Sequence, residues 1–346
     1  MPRAPLGCHS ARAVSTSLDG FFEHYFRRRP VNATFTGVHD YDTVLPDWSR
    51  AGLAAQRSEM TALHAELAAE HPLPESDHGY LAQPDLLDAE LARAFLEIQL
   101  AEDAGMHGVR GNPAQWSGEA VFSIISLMIR DFAPVSERVD AATTRLLALP
   151  AFLAEADETM RECVVPASWI ARALRDCEGA ALLFDRGIAS WLAAGGLEES
   201  QGSLLREAAD DALRAFERFA TMLRSRECAP NDAASCGPEL YDVLLRRGHQ
   251  CVRTRTDLLA SARAQLRDEQ RRLDAMTRAH AASWPDVQAR LAADHPAPDD
   301  YLAAFARLWN ACRETVLAHD AVTWPDWPLR YTTIPAHTRE AAPHLY

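Results

Sequence analysis

Apolar residues recur every three or four positions through most of this chain, and this spacing constrains its fold more than any other feature. Residues at such intervals lie on one side of an α-helix, where they can pack against a neighbouring helix. Almost no strand-like alternation occurs before residue 322. We therefore predict an all-α protein of many packed amphipathic helices, with a short extended C-terminal segment. The periodic stretches are residues 51–70, 86–104, 136–149, 151–163, 168–191, 203–226, 256–279 and 301–316.

Individual residues predict the ends and faces of several helices. Asp47 or Ser49 can cap the helix that starts near residue 51, and Pro150 is expected to end or kink a helix at the residue before it. In residues 256–279, heptad spacing predicts a long, partly exposed helix that packs along one seam, formed by Leu259, Leu266 and Leu273. The stripe expected to face the core in residues 86–104 consists of Leu87, Leu91, Phe95 and Ile98.

The breaks between the periodic stretches are short, so the sequence predicts a single helical domain. We place this domain at residues 18–321. A poorly ordered N-terminal segment is expected at residues 1–17, and an extended segment at residues 322–346.

The charged residues exclude several classes of protein. All 35 basic residues are Arg, and the chain contains no Lys. Phosphate-binding loops, pyridoxal phosphate enzymes and protein kinases each need a Lys, so these classes are excluded. The net charge of −14 argues against nucleic acid or an anionic membrane as a partner.

The cysteines and the apolar runs bear on localisation. The seven Cys include no C-x-x-C pair, a pattern that suits a reducing compartment. No apolar run has the length that a signal peptide or a membrane span requires. A cytoplasmic protein without a membrane partner is therefore expected.

Two clusters are candidates for chemistry. In "TGVHDYD", His39, Asp40 and Asp42 could hold a cation or fix a His tautomer, or they could form a turn with local backbone bonds. In "RRRP", residues 27–30, three arginines could complement the dipole of a helix end or recognise an acidic ligand. No H-E-x-x-H zinc motif and no complete active site are visible in the sequence, so no catalytic or metal-binding residue is predicted.

Several stretches resemble one family, the bacterial proteins grouped as domain of unknown function 885. The resemblance begins at about residue 18 and runs to the last residue in family order. Its segments are "FFEHYFRRRPVNATFTGVHDYDTVLPDWSRAGLAA", "NPAQWSGEAVFSIISLMIRDFAPVSERVDAATTRLLALPAFLAEA", "VPASWIARA", "GPELYDVLLRRG" and "LRYTTIPAHTREAAPHLY".

The resemblance implies a function. Family members are commonly longer and are regarded as metal-dependent peptidases or related hydrolases, with a metal motif of a His-Glu pair followed by Pro-Gly-His. That motif is absent here, so the chain would be the N-terminal, non-catalytic half, truncated or split, of such a protein. It would shape a substrate groove or dock a second polypeptide that carries the motif and its zinc, and Tyr241, Arg330 and Tyr331 would contact a peptide or small-molecule substrate.

Two alternatives stay open. The chain could be a stand-alone helical binding module without catalysis. It could also be a hydrolase with an unrecognised site, built around His39 and its neighbouring aspartates.

Overall fold

A computed structural model describes residues 16–72, 84–105, 107–193, 198–324 and 329–334. Their contacts form two compact units, with a boundary between residues 252 and 253. This boundary lies within the helical domain predicted for residues 18–321. Of the segment predicted to be poorly ordered, Thr16 and Ser17 begin the first helix, and residues 1–15 lie outside the described residues.

The first unit is helical, which confirms the all-α prediction. A π-helical turn at Leu183–Gly187 connects the helices Ala167–Leu182 and Ile188–Ala193, and another at Leu244–Gly248 follows the helix Gly237–Val243. Strands β1 (Val165–Pro166) and β2 (Cys228–Ala229) form one short parallel pair. The helices are α1 (Thr16–Arg28), α2 (Pro30–Thr36), α3 (Arg50–Glu70), α4 (Pro84–Ala104), α5 (Pro113–Met128), α6 (Val135–Thr159), α7 (Ala167–Leu182), α8 (Ile188–Ala193), α9 (Glu199–Ser225) and α10 (Gly237–Val243).

Two apolar clusters hold this unit together. The larger one joins α5, α6, α7 and α9 around Trp116, Leu146 and Phe216. Trp116 is fully buried, and its Nε1 donates a hydrogen bond to the Val109 carbonyl oxygen at 2.7 Å. The smaller cluster joins α1, α3 and α4 through Phe21, Met60, Leu67 and Leu96, among others.

The structure confirms one predicted helix boundary and corrects another. The Ser49 hydroxyl accepts a hydrogen bond from the Gly52 amide at 3.0 Å, so Ser49 is the N-cap of α3. Of the two outcomes expected at Pro150, a helix end is wrong, because α6 runs through this residue to Thr159. A proline inside a helix costs about 3 kcal/mol. We attribute its tolerance to the burial of Leu149 and Leu153 beside it.

The predicted buried face of α4 is wrong for Leu87 and Leu91, whereas Phe95 packs against the smaller cluster as expected. Leu87 is 42% exposed and Leu91 is 48% exposed, whereas Ala89, Ala92 and Leu96 are buried. This helix has apolar residues around much of its circumference, so periodicity alone does not select a face. The alanine side allows close approach of the neighbouring helices, because a methyl group takes little space.

The second unit comprises residues 253–334 and has three helices among its described residues, α11 (Arg255–His280), α12 (Trp284–Ala293) and α13 (Tyr301–Ala318). Every described residue in it is at least partly exposed. The seam leucines of α11 are 50%, 60% and 42% exposed at Leu259, Leu266 and Leu273. The helix is therefore confirmed, but the other described residues do not bury its seam as predicted.

Two further observations concern the end of this unit and the membrane. Residues 322–324 and 329–334 contain no helix or strand, and 325–328 and 335–346 lie outside the described residues. None of the described helices combines the length and apolarity needed to cross a bilayer.

Candidate functional site

A polar cleft of about 240 Å³ opens in the first unit between α1, α3, α4 and the loop that precedes α5. Its apolar wall includes Trp48, Leu53 and Met60. The polar side chains that line it are Arg28, Arg29, Gln56, Gln99, Glu102, Asp103 and Gln115. The cleft thus presents both charge signs and several side-chain amides to a ligand.

Arg28 reaches the cleft from the end of α1 and is held by a carboxylate on α3. Its Nε and Nη2 donate to the two oxygens of Glu59 at 3.0 and 2.6 Å. Glu59 also accepts from Arg27 and contacts Nδ1 of the buried His24 at 3.0 Å. The Arg28 hydrogen bond is the main cause that lowers the pKa of Glu59 to about 2, so this carboxylate stays ionised and fixes both arginines.

Arg29 is held from a different side. Its Nη2 donates to Oε1 of Gln99, and its guanidinium lies 4.8 Å from the ring centre of Phe95 and 5.3 Å from that of Tyr25. Burial lowers the pKa of this guanidinium. The "RRRP" stretch therefore places two oriented guanidinium groups on one cleft, and the third, Arg27, joins the Glu59 cluster.

The two acidic residues of the cleft differ in their partners. Asp103 accepts from Nε of Arg57 at 2.7 Å and lies 3.9 Å from Arg110, so its charge is compensated. Glu102 accepts from Nε2 of Gln99 at 2.8 Å, a neutral donor. No ion pair joins Glu102 to another described residue, although its charge acts on the nearby Arg29 guanidinium.

Behind the cleft, Glu119 lies one helical turn beyond Gln115 on α5. Burial raises the pKa of its carboxyl to about 7, although the charges of Arg145 and Arg29 act in the opposite direction. No hydrogen-bond donor among the described residues contacts this carboxylate. Glu119 can therefore gain or lose a proton near neutral pH.

A second cavity, of about 180 Å³, lies on the other side of Leu53. Arg50, Arg57 and Arg110 line it together with Cys163. Burial raises the pKa of the Cys163 thiol, and its Sγ donates to the Arg110 carbonyl oxygen at 3.0 Å. Since the thiolate is the nucleophilic form, this cysteine is not activated for attack.

The "TGVHDYD" stretch forms a turn in which His39 and Asp42 contact each other. His39 Nδ1 lies 3.0 Å from Oδ2 of Asp42, the Asp42 Oδ1 accepts from the Thr34 hydroxyl at 2.6 Å, and the His39 ring stacks 3.9 Å from Phe132. Asp40 is exposed. Groups of three or more His, Cys, Asp or Glu side chains that could hold a metal do not occur within the described ranges.

The three predicted substrate contacts lie in different units. Tyr241, on α10 of the first unit, is 41% exposed. Arg330 and Tyr331 lie in the second unit; Arg330 is exposed, and the Tyr331 ring centre lies 5.5 Å from that of Phe305. None of the three lines either cavity described above. Their role in substrate binding stays a prediction.

The sequence indicated part of the cleft but missed the rest. The Arg cluster at residues 27–29 suggested an acidic ligand as one interpretation. Gln99 and Glu102 were missed, although their spacing of three residues places them on one side of a helix. Glu119 carries no sequence signal, because its burial depends on helices that are distant in sequence.

The fold and this site define an all-α protein with a polar, arginine-lined cleft. The chain belongs to the family described as "Bacterial protein of unknown function (DUF885)", whose model matches residues 30–346. This confirms the family that the sequence segments resemble.

A solved structure is similar in fold. It is a candidate lipoprotein of unknown function from Shewanella oneidensis, 17% identical in sequence, with a TM-score of 0.67. The match covers 91% of this chain and 59% of that chain. At this identity the likeness supports the fold alone. No curated protein matches the chain.

Proposed function

We propose that this chain is a non-catalytic portion of a hydrolase-like protein, one that shapes a substrate cleft and docks a second polypeptide. Under this proposal, the second polypeptide supplies the zinc and the activated water of metal-assisted hydrolysis. The metallopeptidase character rests on the family resemblance described above. The protein would work in the cytoplasm, as its composition predicts.

The observation that carries the docking proposal is the exposure of the second unit. Residues 253–334 contain eleven Arg and eleven Asp or Glu, so they are formally neutral and the charge of −14 lies on the rest of the chain. A neutral, apolar helix face can associate without net electrostatic repulsion. Exposed apolar groups of this extent typically mark interaction sites.

The α11 seam is the part of this unit that fits a helical partner. Three leucines recur every seven residues, and each has more than two fifths of its surface exposed: Leu259, Leu266 and Leu273. A second helix could bury this seam by knobs-into-holes packing. The Shewanella protein extends well beyond the part matched here, and a corresponding polypeptide is the partner that we propose.

Purification of the tagged chain from its own cells tests this proposal. We expect a complex that contains one further chain and zinc and that hydrolyses peptides. Leu266→Arg should release the second chain, the zinc and the activity together, because it puts a charge in the seam. Ala275→Arg is the matched control, since it introduces the same side chain at an exposed position on the opposite side of α11.

Two results would reject the proposal. A metal-free particle of 38.2 kDa would favour the stand-alone binding module. Equal loss of the second chain in both variants would show that the α11 seam is not the docking surface.

A further inference from the structure

The cleft of the first unit carries an inference about its ligand. Arg28 and Arg29 supply positive charge to its lining and Glu102 supplies negative charge, with Gln99 bonded to both Arg29 and Glu102. Gln56 and Gln115 also line it, and their side-chain amides have no hydrogen-bond partner among the described residues. Such a lining complements a molecule that carries both charges and polar amide groups.

The two guanidinium groups are oriented before any ligand arrives. Glu59 holds Nε and Nη2 of Arg28, and Gln99 holds Nη2 of Arg29. The Nη1 atoms of both arginines make no hydrogen bond to any described residue, so each can donate to a ligand. Among common small-molecule groups, carboxylate and phosphate are the ones that oriented guanidinium donors bind best.

Glu102 is suited to the opposite end of the ligand. Its carboxylate accepts one hydrogen bond, from the neutral Gln99 amide, so it keeps acceptor capacity for an ammonium group. Asp103 is less suited, because Arg57 and Arg110 already compensate its charge. Gln99 bonds both Arg29 and Glu102, and thereby fixes the positive and negative groups relative to each other.

The size of the cleft limits the ligand. Its volume of about 240 Å³ lies below the roughly 300–1,000 Å³ of sites for drug-sized molecules. Trp48, Leu53 and Met60 offer an apolar wall that a small side chain can contact. A large substrate would therefore place only one end in this cleft.

We propose that the cleft binds a small zwitterion, a free α-amino acid or a short peptide with free termini, with the carboxylate at Arg28 and Arg29 and the ammonium at Glu102. This inference deepens the substrate-cleft part of the proposed function and rests on it. The binding test uses this chain alone, whereas the docking test uses the complex, so each proposal can fail without the other.

Isothermal titration of the full chain with L-alanyl-L-alanine, its C-terminal amide and its N-acetyl derivative tests this proposal. The free dipeptide should bind saturably. Each blocked form should bind at least about tenfold more weakly, because blocking a terminus removes the charge that strengthens its hydrogen bonds. Absence of dipeptide binding, or equal binding of the blocked forms, would overturn the proposal.

The variant Glu102→Gln locates the ammonium. The glutamine keeps the shape of the side chain, and its carbonyl oxygen can still accept a hydrogen bond from Gln99, but the negative charge is lost. We expect it to bind the free and N-acetylated dipeptides equally while it still discriminates against the amide. Glu207→Gln, at an exposed position on α9, is the matched control and should behave as the wild type. A Glu102→Gln variant with unchanged preferences would reject this position for the ammonium.

Discussion

Two glutamates of the first unit show how strongly surroundings decide the state of one residue type. Glu59 accepts hydrogen bonds from Arg27 and Arg28, and its pKa falls to about 2. Glu119 is half-buried without a hydrogen-bond donor among the described residues, and its pKa rises to about 7. The same carboxyl group is therefore a fixed anion in one place and a titrating acid in the other.

Glu119 should make stability depend on pH between about 4.5 and about 7. In this window the folded chain binds the Glu119 proton more tightly than the unfolded chain does. The stability that the proton gives is complete below the unfolded pKa and is lost as pH rises through the folded pKa. Urea unfolding from pH 4.5 to 8 should show Glu119→Gln becoming steadily more stable relative to the wild type, by at most about 1.4 kcal/mol per pH unit.

The difference in unfolding free energy between the wild type and Glu119→Gln, measured at each pH, isolates the contribution of Glu119. His24, whose pKa burial lowers, is present in both proteins and so cancels in the comparison. A difference that stays constant across the window would mean that Glu119 titrates as an ordinary exposed glutamate.

At the scale of elements, a buried arginine joins helices that are far apart in sequence. Arg145 on α6 is fully buried and donates to the Ser123 carbonyl oxygen on α5 at 2.7 Å and to the Thr34 hydroxyl on α2 at 2.8 Å. It also donates to the Tyr41 carbonyl oxygen at 3.1 Å. Its burial lowers its pKa to about 10, which leaves it charged at neutral pH. It thereby links α2 and the turn after it to α5 and α6.

Replacement of Arg145 by Met should destabilise the chain strongly. The change leaves several buried carbonyl oxygens and hydroxyls without their donor, and breaking such a buried network costs about 3–5 kcal/mol. Urea denaturation at pH 7 measures the loss. Arg218→Met, on the exposed side of α9, should change stability by less than about 0.5 kcal/mol. Similar small effects for both variants would contradict the role assigned to Arg145.

The whole molecule has two units with different internal packing. In the first unit, helices such as α6 and α9 bury Leu146, Leu153, Phe216 and Leu223 in a shared core. In the second unit, each described side chain keeps contact with solvent. Helices without buried apolar side chains gain little from tertiary packing, so they open at low free energy.

Limited trypsin digestion of the full chain should therefore cut the second unit first. Trypsin cuts after Arg here, and exposed arginines occur on helices of both units, for example Arg267 on α11 and Arg218 on α9. Mass spectrometry should detect early cuts within residues 253–334 and late cuts within α6 and α9. Equal rates in the two units would show that the second unit is as stable as the first.

The sequence predicted helix positions well and helix faces less well. The Ser49 cap and the periodic stretches 51–70 and 203–226, which form α3 and α9, agree with the structure, because capping and periodicity are local properties. The α4 face was wrong at Leu87 and Leu91, because residues such as Leu87 and Ala89 are both apolar and only the neighbouring helices decide which of them is buried. The cleft was indicated only through its arginines, since the partners of those arginines come from α3 and α4.

The sequence by itself determined the all-α class and the family, and its lack of Lys excluded the enzyme classes that depend on Lys. These properties follow from composition, local spacing and ordered motifs, which need no knowledge of distant contacts. Only the tertiary structure decided that Arg28, Arg29 and Glu102 line one cleft, that Glu119 titrates near neutral pH, and that the α11 seam is exposed. Burial and charge pairing are set by residues that meet in space, so their effects on pKa and binding appear only when the helices are packed.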